Sequence, residues 1–102
     1  MAHKVLDASF HCRQALERCL REVEADGCNV VALGEIDAPR LIVRRGQMRC
    51  EHQVVAVTGR DKATVEKILR QREGDGWVVC GLGPCSDATV MILKRALGPI
   101  DK

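Results

Sequence analysis

Leu16-Glu17-Arg18-Cys19-Leu20-Arg21-Glu22-Val23-Glu24-Ala25-Asp26-Gly27 returns 49 positions later as Val65-Glu66-Lys67-Ile68-Leu69-Arg70-Gln71-Arg72-Glu73-Gly74-Asp75-Gly76, with six of the twelve pairs identical. The correspondence spreads outward. Val30, Leu33 and Gly34 fall on Val79, Leu82 and Gly83, and upstream His3-Lys4-Val5-Leu6 falls on His52-Gln53-Val54-Val55. After a slip of one residue, Leu41-Ile42-Val43-Arg44-Arg45 meets Met91-Ile92-Leu93-Lys94-Arg95. Two copies of one pattern constrain each other, so an element read in one half can be checked against the other.

In the first copy Cys12, Leu16, Cys19, Leu20 and Val23 recur at spacings of three and four. That period lines one helix face and turns Arg13, Glu17, Arg21 and Glu24 away from it. Val65, Ile68 and Leu69 repeat the face in the second copy. Both helices are expected to stop at Asp-Gly, because Gly27 and Gly76 can take the left-handed conformation without a Cβ clash. Thr58-Gly59-Arg60-Asp61 reads as a helix start, a hydroxyl and a carboxylate satisfying backbone donors, with Ser9 at the matching place in the first copy.

Residues 3–9 and 52–58 read as strands ahead of the helices, the second carrying β-branched Val54, Val55 and Val57. Behind the helices, Cys28 to Leu33 and Trp77 to Leu82 read as strands that turn at Gly34 and at Gly83-Pro84 and return over 40–44 and 89–94. A right-handed strand-helix-strand crossover favours parallel strands, which leaves the third strand of each unit between the first two. The expected class is α+β: two fused β-α-β-β units, residues 3–45 and 52–95, related by a pseudo-twofold axis, with six mainly antiparallel strands and two helices. At about 50 residues, each unit lies near the lower limit for folding alone. The two are therefore expected to form a single domain over 1–102, joined by the polar connector Arg45 to Cys50. Leu41-Ile42-Val43 and Val90-Met91-Ile92-Leu93 are apolar at consecutive positions, which asks for cover on both faces of a sheet. Two helices cover one face, so the other half's sheet or a second subunit must cover the other.

Apolar residues make up 46% and charged residues 29%, well outside the signature of disorder. One Phe, one Trp and no Tyr leave little material for stacking nucleic-acid bases. A net charge of +2 is small for a polyanion-binding protein, even with eleven arginines among sixteen basic residues. No segment approaches the ~20 apolar residues of a membrane span, and residues 1–16 lack the continuous apolar run of a signal peptide. A cytoplasmic setting with free thiols is expected for the six cysteines.

The second copy, from His52 to Arg95, resembles a small bacterial domain family of unknown function. Its members run strand, helix, strand, strand, end the helix in an acidic residue and Gly-Trp, and close on a Leu-Lys-Arg strand. Here those features stand as Glu73-Gly74-Asp75-Gly76-Trp77 and Ile92-Leu93-Lys94-Arg95. The first copy follows only through the repeat, with Cys28 in place of the Trp. The resemblance implies a fold and a bacterial, cytoplasmic setting, and it carries no catalytic residues.

For chemistry, Cys19 aligns with Ile68, Cys28 with Trp77 and Cys80 with Val31, which marks these thiols as small buried hydrophobes. No Cys-x-x-Cys pair is present. Cys50-Glu51-His52 and Cys85-Ser86-Asp87 are the candidate ligand or nucleophile pairs. Gly81-Leu82-Gly83-Pro84-Cys85-Ser86 reads as a tight turn, since a phosphate-cradling loop needs a helix immediately after it and a strand follows here. Arg40, Arg44, Arg45, Arg49, Lys94 and Arg95 could form a basic patch, or else keep strand ends soluble. Trp77 is expected in the core or packed between helix and sheet, and His3 and His52 occupy equivalent strand starts. The expected function is a non-catalytic cytoplasmic binding or protein-interaction module with no catalytic residues, cofactor, metal or membrane partner, acting as a homo-oligomer or on a protein partner. The alternatives are a nucleic-acid-binding protein using the arginines and a metal- or thiol-dependent protein.

Overall fold

Each helix ends where a residue without a Cβ lets the chain reverse: Gly27 and Gly76 stand at φ 74° and 88°. The structure, a computed structural model, describes residues 3–35 and 37–99, so residues 1–2, 36 and 100–102 of the expected domain lie outside it. Along the described chain run β1 (His3–Asp7), α1 (Arg13–Ala25), β2 (Cys28–Glu35), β3 (Pro39–Arg45), β4 (Met48–Ala56), α2 (Lys62–Gly74), β5 (Val78–Cys85) and β6 (Ala88–Pro99). The class is α+β, with all strand pairs antiparallel in two three-stranded sheets, β1-β3-β2 and β4-β6-β5, called A and B below. In both, the third strand of a unit lies between the first two, as the crossover requires. The registers also run alike. His3 faces Arg44 and Val5 faces Ile42 in sheet A, where His52 faces Lys94 and Val54 faces Ile92 in sheet B. Each second strand slips register at the same place, between Val30 and Ala32 and between Val79 and Gly81.

Several boundaries move from where the sequence puts them. β1 ends at Asp7, not at 9, because the Asp7 carboxylate turns back to accept the Ser9 N–H at 3.1 Å. β4 starts at Met48, four residues early, since the long β6 offers Met48 and Arg49 the partners Pro99 and Gly98; the connector shrinks to Gly46-Gln47. The cap of α2 is Asp61, whose carboxylate accepts the Thr64 N–H at 2.8 Å. Thr58 instead joins β6, its hydroxyl accepting the Thr89 N–H at 2.8 Å. α1 starts at Arg13 behind Cys12, whose side chain makes no cap hydrogen bond, and Ser9 takes no part. The expected turn at Gly83-Pro84 lies inside β5, and the chain reverses at Ser86-Asp87, where Ser86 takes φ 59°.

Glycines 81 and 83 serve the packing of one sheet on the other. A Cβ on Gly81 would stand 2.9 Å from Leu33 Cβ, and one on Gly83 would stand 3.1 Å from Leu33 Cδ2, so β2 presses on β5 where β5 has no side chains. The core gathers on this inner side. Leu16, Leu20 and Val23 of α1 join Val30, Leu41 and Val43 of sheet A and Val54, Val90 and Ile92 of sheet B. Met91 and Leu93 point the opposite way, toward α2, and are also buried. On that side Arg72 of α2 donates to the Gln53 amide oxygen at 3.0 Å. Sheet B is packed on one side by α1 with sheet A and on the other by α2, which leaves Val78, Val79 and Leu82 of β5 exposed. Sheet A is packed on its inner face alone: on the outer one Ile42 is half-buried, and Val5 beside it is 59% exposed. The helices differ in kind, since no residue of α2 is fully buried.

Gly81→Val is expected to destabilise the fold by about 1–3 kcal/mol, the range for forcing volume into a packed interface. Gly34→Ala, which meets nothing within 4 Å, should leave the denaturation midpoint unchanged. Urea unfolding of both variants checks the pair.

Candidate functional site

Alternation along β4 sorts the Cys50-Glu51-His52 candidate onto two faces. His52 points inward with Val54, while Glu51 lies outside and holds Arg95 at 2.8 Å. His52 shares the inner face with its register partner Lys94, and the two meet β2 at its bulge. There the Val30 N–H donates to His52 Nε2 at 3.1 Å, and the Val30 carbonyl accepts from Lys94 Nζ at 2.9 Å. Val30 lies on β2, the edge strand of sheet A, and side chains of sheet B supply a partner for each of these backbone groups. Lys94 also donates to Asn29 Oδ1 at 2.6 Å, whose amide nitrogen donates to the Arg44 carbonyl at 3.3 Å.

From the other side comes Glu24, which the helical pattern turns toward solvent. The last turn of α1 carries it over β4, and its Oε2 accepts from the His52 backbone N–H at 2.6 Å and from Nδ1 at 2.9 Å. Arg21 holds Glu24 at 3.0 Å and donates to the His52 carbonyl at 2.7 Å. The backbone donor at Nε2 fixes the imidazole tautomer, with its proton on Nδ1 toward Glu24. The His52 side chain has no exposed surface. Burial holds its pKa below the usual value; Glu24 pulls it upward, while Lys94 and Arg21 add to the lowering. A His-carboxylate pair could serve as a general base. Here both ring nitrogens are occupied and closed from solvent, so the arrangement binds the halves together and reaches no substrate. His3, its sequence equivalent, is exposed.

The six basic residues do not form one patch. Arg40 is engaged by Asp37 at 2.9 Å and Asp7 at 3.6 Å, Lys94 is spent on Asn29 and Val30, and Arg95 holds Glu51 and lies 4.5 Å over Trp77. Trp77 is accordingly half-exposed beneath a guanidinium, not packed in the core. Arg44, Arg45 and Arg49, around the β3–β4 turn, are exposed, with no ion-pair partner among the described residues.

The cysteines are all free. Cys28 is buried, and Cys19 and Cys80 pack half-buried against the core. Burial pushes the Cys80 thiol up to about 11, and it raises Cys19 and Cys85 as well. Thiols shifted this way stay protonated at neutral pH and make poor nucleophiles. Cys85 lines a cleft of about 330 Å³ with Cys12, His11 and Asp87. Among the described residues no group of three or more His, Cys, Asp or Glu side chains is placed to hold a metal ion.

Two residues of the junction escape a reading of one helix or strand at a time. Glu24 has a plain counterpart in Glu73, and only packing separates them. Asn29 carried a signal: it stands where the second copy has Val78, a polar side chain replacing an apolar one in a strand.

Glu24→Ala would leave the His52 backbone N–H and the Nδ1 proton without an acceptor inside the fold. A loss of about 2–4 kcal/mol in chemical unfolding is expected, against about 1 kcal/mol or less for Arg21→Ala, whose side chain is 57% exposed. No protein-family model, curated protein or solved structure matches the chain.

Proposed function

We propose that the protein is a non-catalytic, cytoplasmic interaction module that associates with a second copy of itself through the outer face of the β1-β3-β2 sheet. The observation that carries this reading is an open sheet face: Val5 is 59% exposed on the edge strand β1, beside half-buried Ile42 and Ala32. An uncovered apolar face rimmed by charge is a recurrent form of interaction surface. The non-catalytic part is supported by the closed Glu24–His52 pair and by the raised thiol pKa values. The reading as two joined β-α-β-β units of the bacterial family, related by a pseudo-twofold axis, draws support from the matching registers and bulges.

Charge favours a second copy as the partner. One end of the face carries Asp7 and Asp37, two well-exposed carboxylates sharing the single guanidinium of Arg40. The opposite end carries Arg44 and His3, both exposed. A twofold axis through Val5 and Ile42 sets the acidic end of one copy against the basic end of the other, the self-complementarity an isologous dimer needs. Three strands at roughly 4.8 Å spacing make a face about 14 Å wide and roughly 20 Å long, which is below a standard interface. The association should accordingly be weak, in the micromolar range or above.

A second reading, nucleic-acid binding through the six expected basic residues, has Arg44, Arg45 and Arg49 of them free to meet phosphates, and three contacts give a shallow salt dependence and low affinity.

Sedimentation velocity from roughly 10 μM to 1 mM tests the reading. The wild-type chain should shift from monomer to dimer, and Val5→Lys should stay monomeric. Arg44→Asp should weaken the dimer, with Asp37→Arg restoring it in the double variant. A monomer throughout for the wild type, or a dimer unmoved by Val5→Lys, would defeat the proposal.

A further inference from the structure

We propose that His52 is an acid-sensitive latch between the two sheets: a proton taken up at Nε2 removes the acceptor of the Val30 N–H and releases β2 and the end of α1 from the β4-β6-β5 sheet. The geometry makes the latch one-way. In the neutral ring Nε2 offers its lone pair to a backbone donor 3.1 Å away, while Nδ1 donates to Glu24. In the imidazolium both nitrogens are donors. The Glu24 bond survives and gains charge, but the Val30 N–H then faces another N–H in a site with no exposed imidazole surface. Neither donor can turn to water without the sheets separating there.

The groups facing His52 from each packed element set the balance. From α1 come Glu24, which favours the charged ring, and Arg21, which opposes it. From β6 comes Lys94, whose ammonium opposes it and is itself held between Asn29 Oδ1 and the Val30 carbonyl. Cys80 of β5, on the far side of Lys94, is kept neutral by its burial. β2 contributes no charge, only the Val30 N–H and the Asn29 amide. Two cations and desolvation thus stand against one carboxylate.

The direction of the pH dependence follows. The ring binds its proton less readily in the folded chain than in the unfolded one, so its contribution to stability is complete above about pH 6.5 and declines as pH falls. Within that window, the folded-to-unfolded ratio should drop by as much as tenfold per pH unit, until His52 titrates in the folded state too. His3 and His11 are exposed and have no buried donor to abandon.

Nuclear magnetic resonance on the full chain, taken from about pH 7.5 to about 5, follows the His52 ring nitrogens and the exchange protection of the Val30 amide together. The expected result is that Val30 loses protection in step with ring protonation, while amides of the β4–β6 ladder lose theirs later. A ring that takes up its proton while Val30 stays protected would overturn the latch. His52→Gln supplies the same acceptor and donor without titrating, and its melting temperature should be flat across the window where the wild type falls. Parallel declines in the two proteins would equally refute it. Should His52→Gln fail to fold, the wild-type titration alone decides.

Discussion

Val30 lies on β2, the edge strand of its sheet, and its N–H and C=O find partners in the other half, so the joining of the two halves depends on satisfying them. Apolar packing between α1 and the sheets provides most of the driving force, at roughly 1.5–3 kcal/mol for each fully buried Leu or Val. That force is non-directional, and it would tolerate sheet A at more than one offset on sheet B. The Val30 groups would not. They need an acceptor and a donor at a fixed spacing, and the paired positions His52 and Lys94 provide them across one rung of the β4–β6 ladder. Glu24 then fixes which nitrogen of His52 is the acceptor, and Asn29 fixes the Lys94 ammonium.

Closing this junction makes the two halves unequal although their strands pair alike. α1 is drawn between the sheets and buries Leu16, Leu20 and Val23, while α2 rests on the far face of sheet B with no side chain fully buried. Sheet B is packed from both sides, with Val78, Val79 and Leu82 of its edge strand β5 left exposed. Sheet A spends its inner face on the same core and has nothing left for the outer one. The exposed Val5 and half-buried Ile42 are the consequence of two helices and two sheets being stacked in one sequence of layers. Gly81 and Gly83 let the layers close, because any side chain on β5 at those points would hold Leu33 away.

Element type and order were legible in the chain. The three-and-four spacing of Leu16, Leu20 and Val23, the Asp-Gly stops and the Val-rich runs are local signals with local physical causes, and each was written twice. Boundaries were less legible, since β4 reaches back to Met48 only because β6 extends to Pro99. The glycines of β5 carry a turn signal in the sequence for a related reason. A glycine that frees the backbone and a glycine that makes room for a distant leucine look the same in sequence.

Which copy of a repeated residue matters was decided only in three dimensions. His3 and His52 occupy equivalent strand positions, as Glu24 and Glu73 occupy equivalent helix positions, yet one His is buried against a half-buried Glu while the others face solvent. Local periodicity reports which side of an element a residue lies on, and it is blind to what covers that side. The sequence by itself determined two helices, six strands and their order, because backbone conformation answers to near neighbours in the chain. The tertiary structure decided which sheet face is closed, which arginines are neutralised and which histidine must stay uncharged, because burial and electrostatics depend on groups that meet only after the two halves dock.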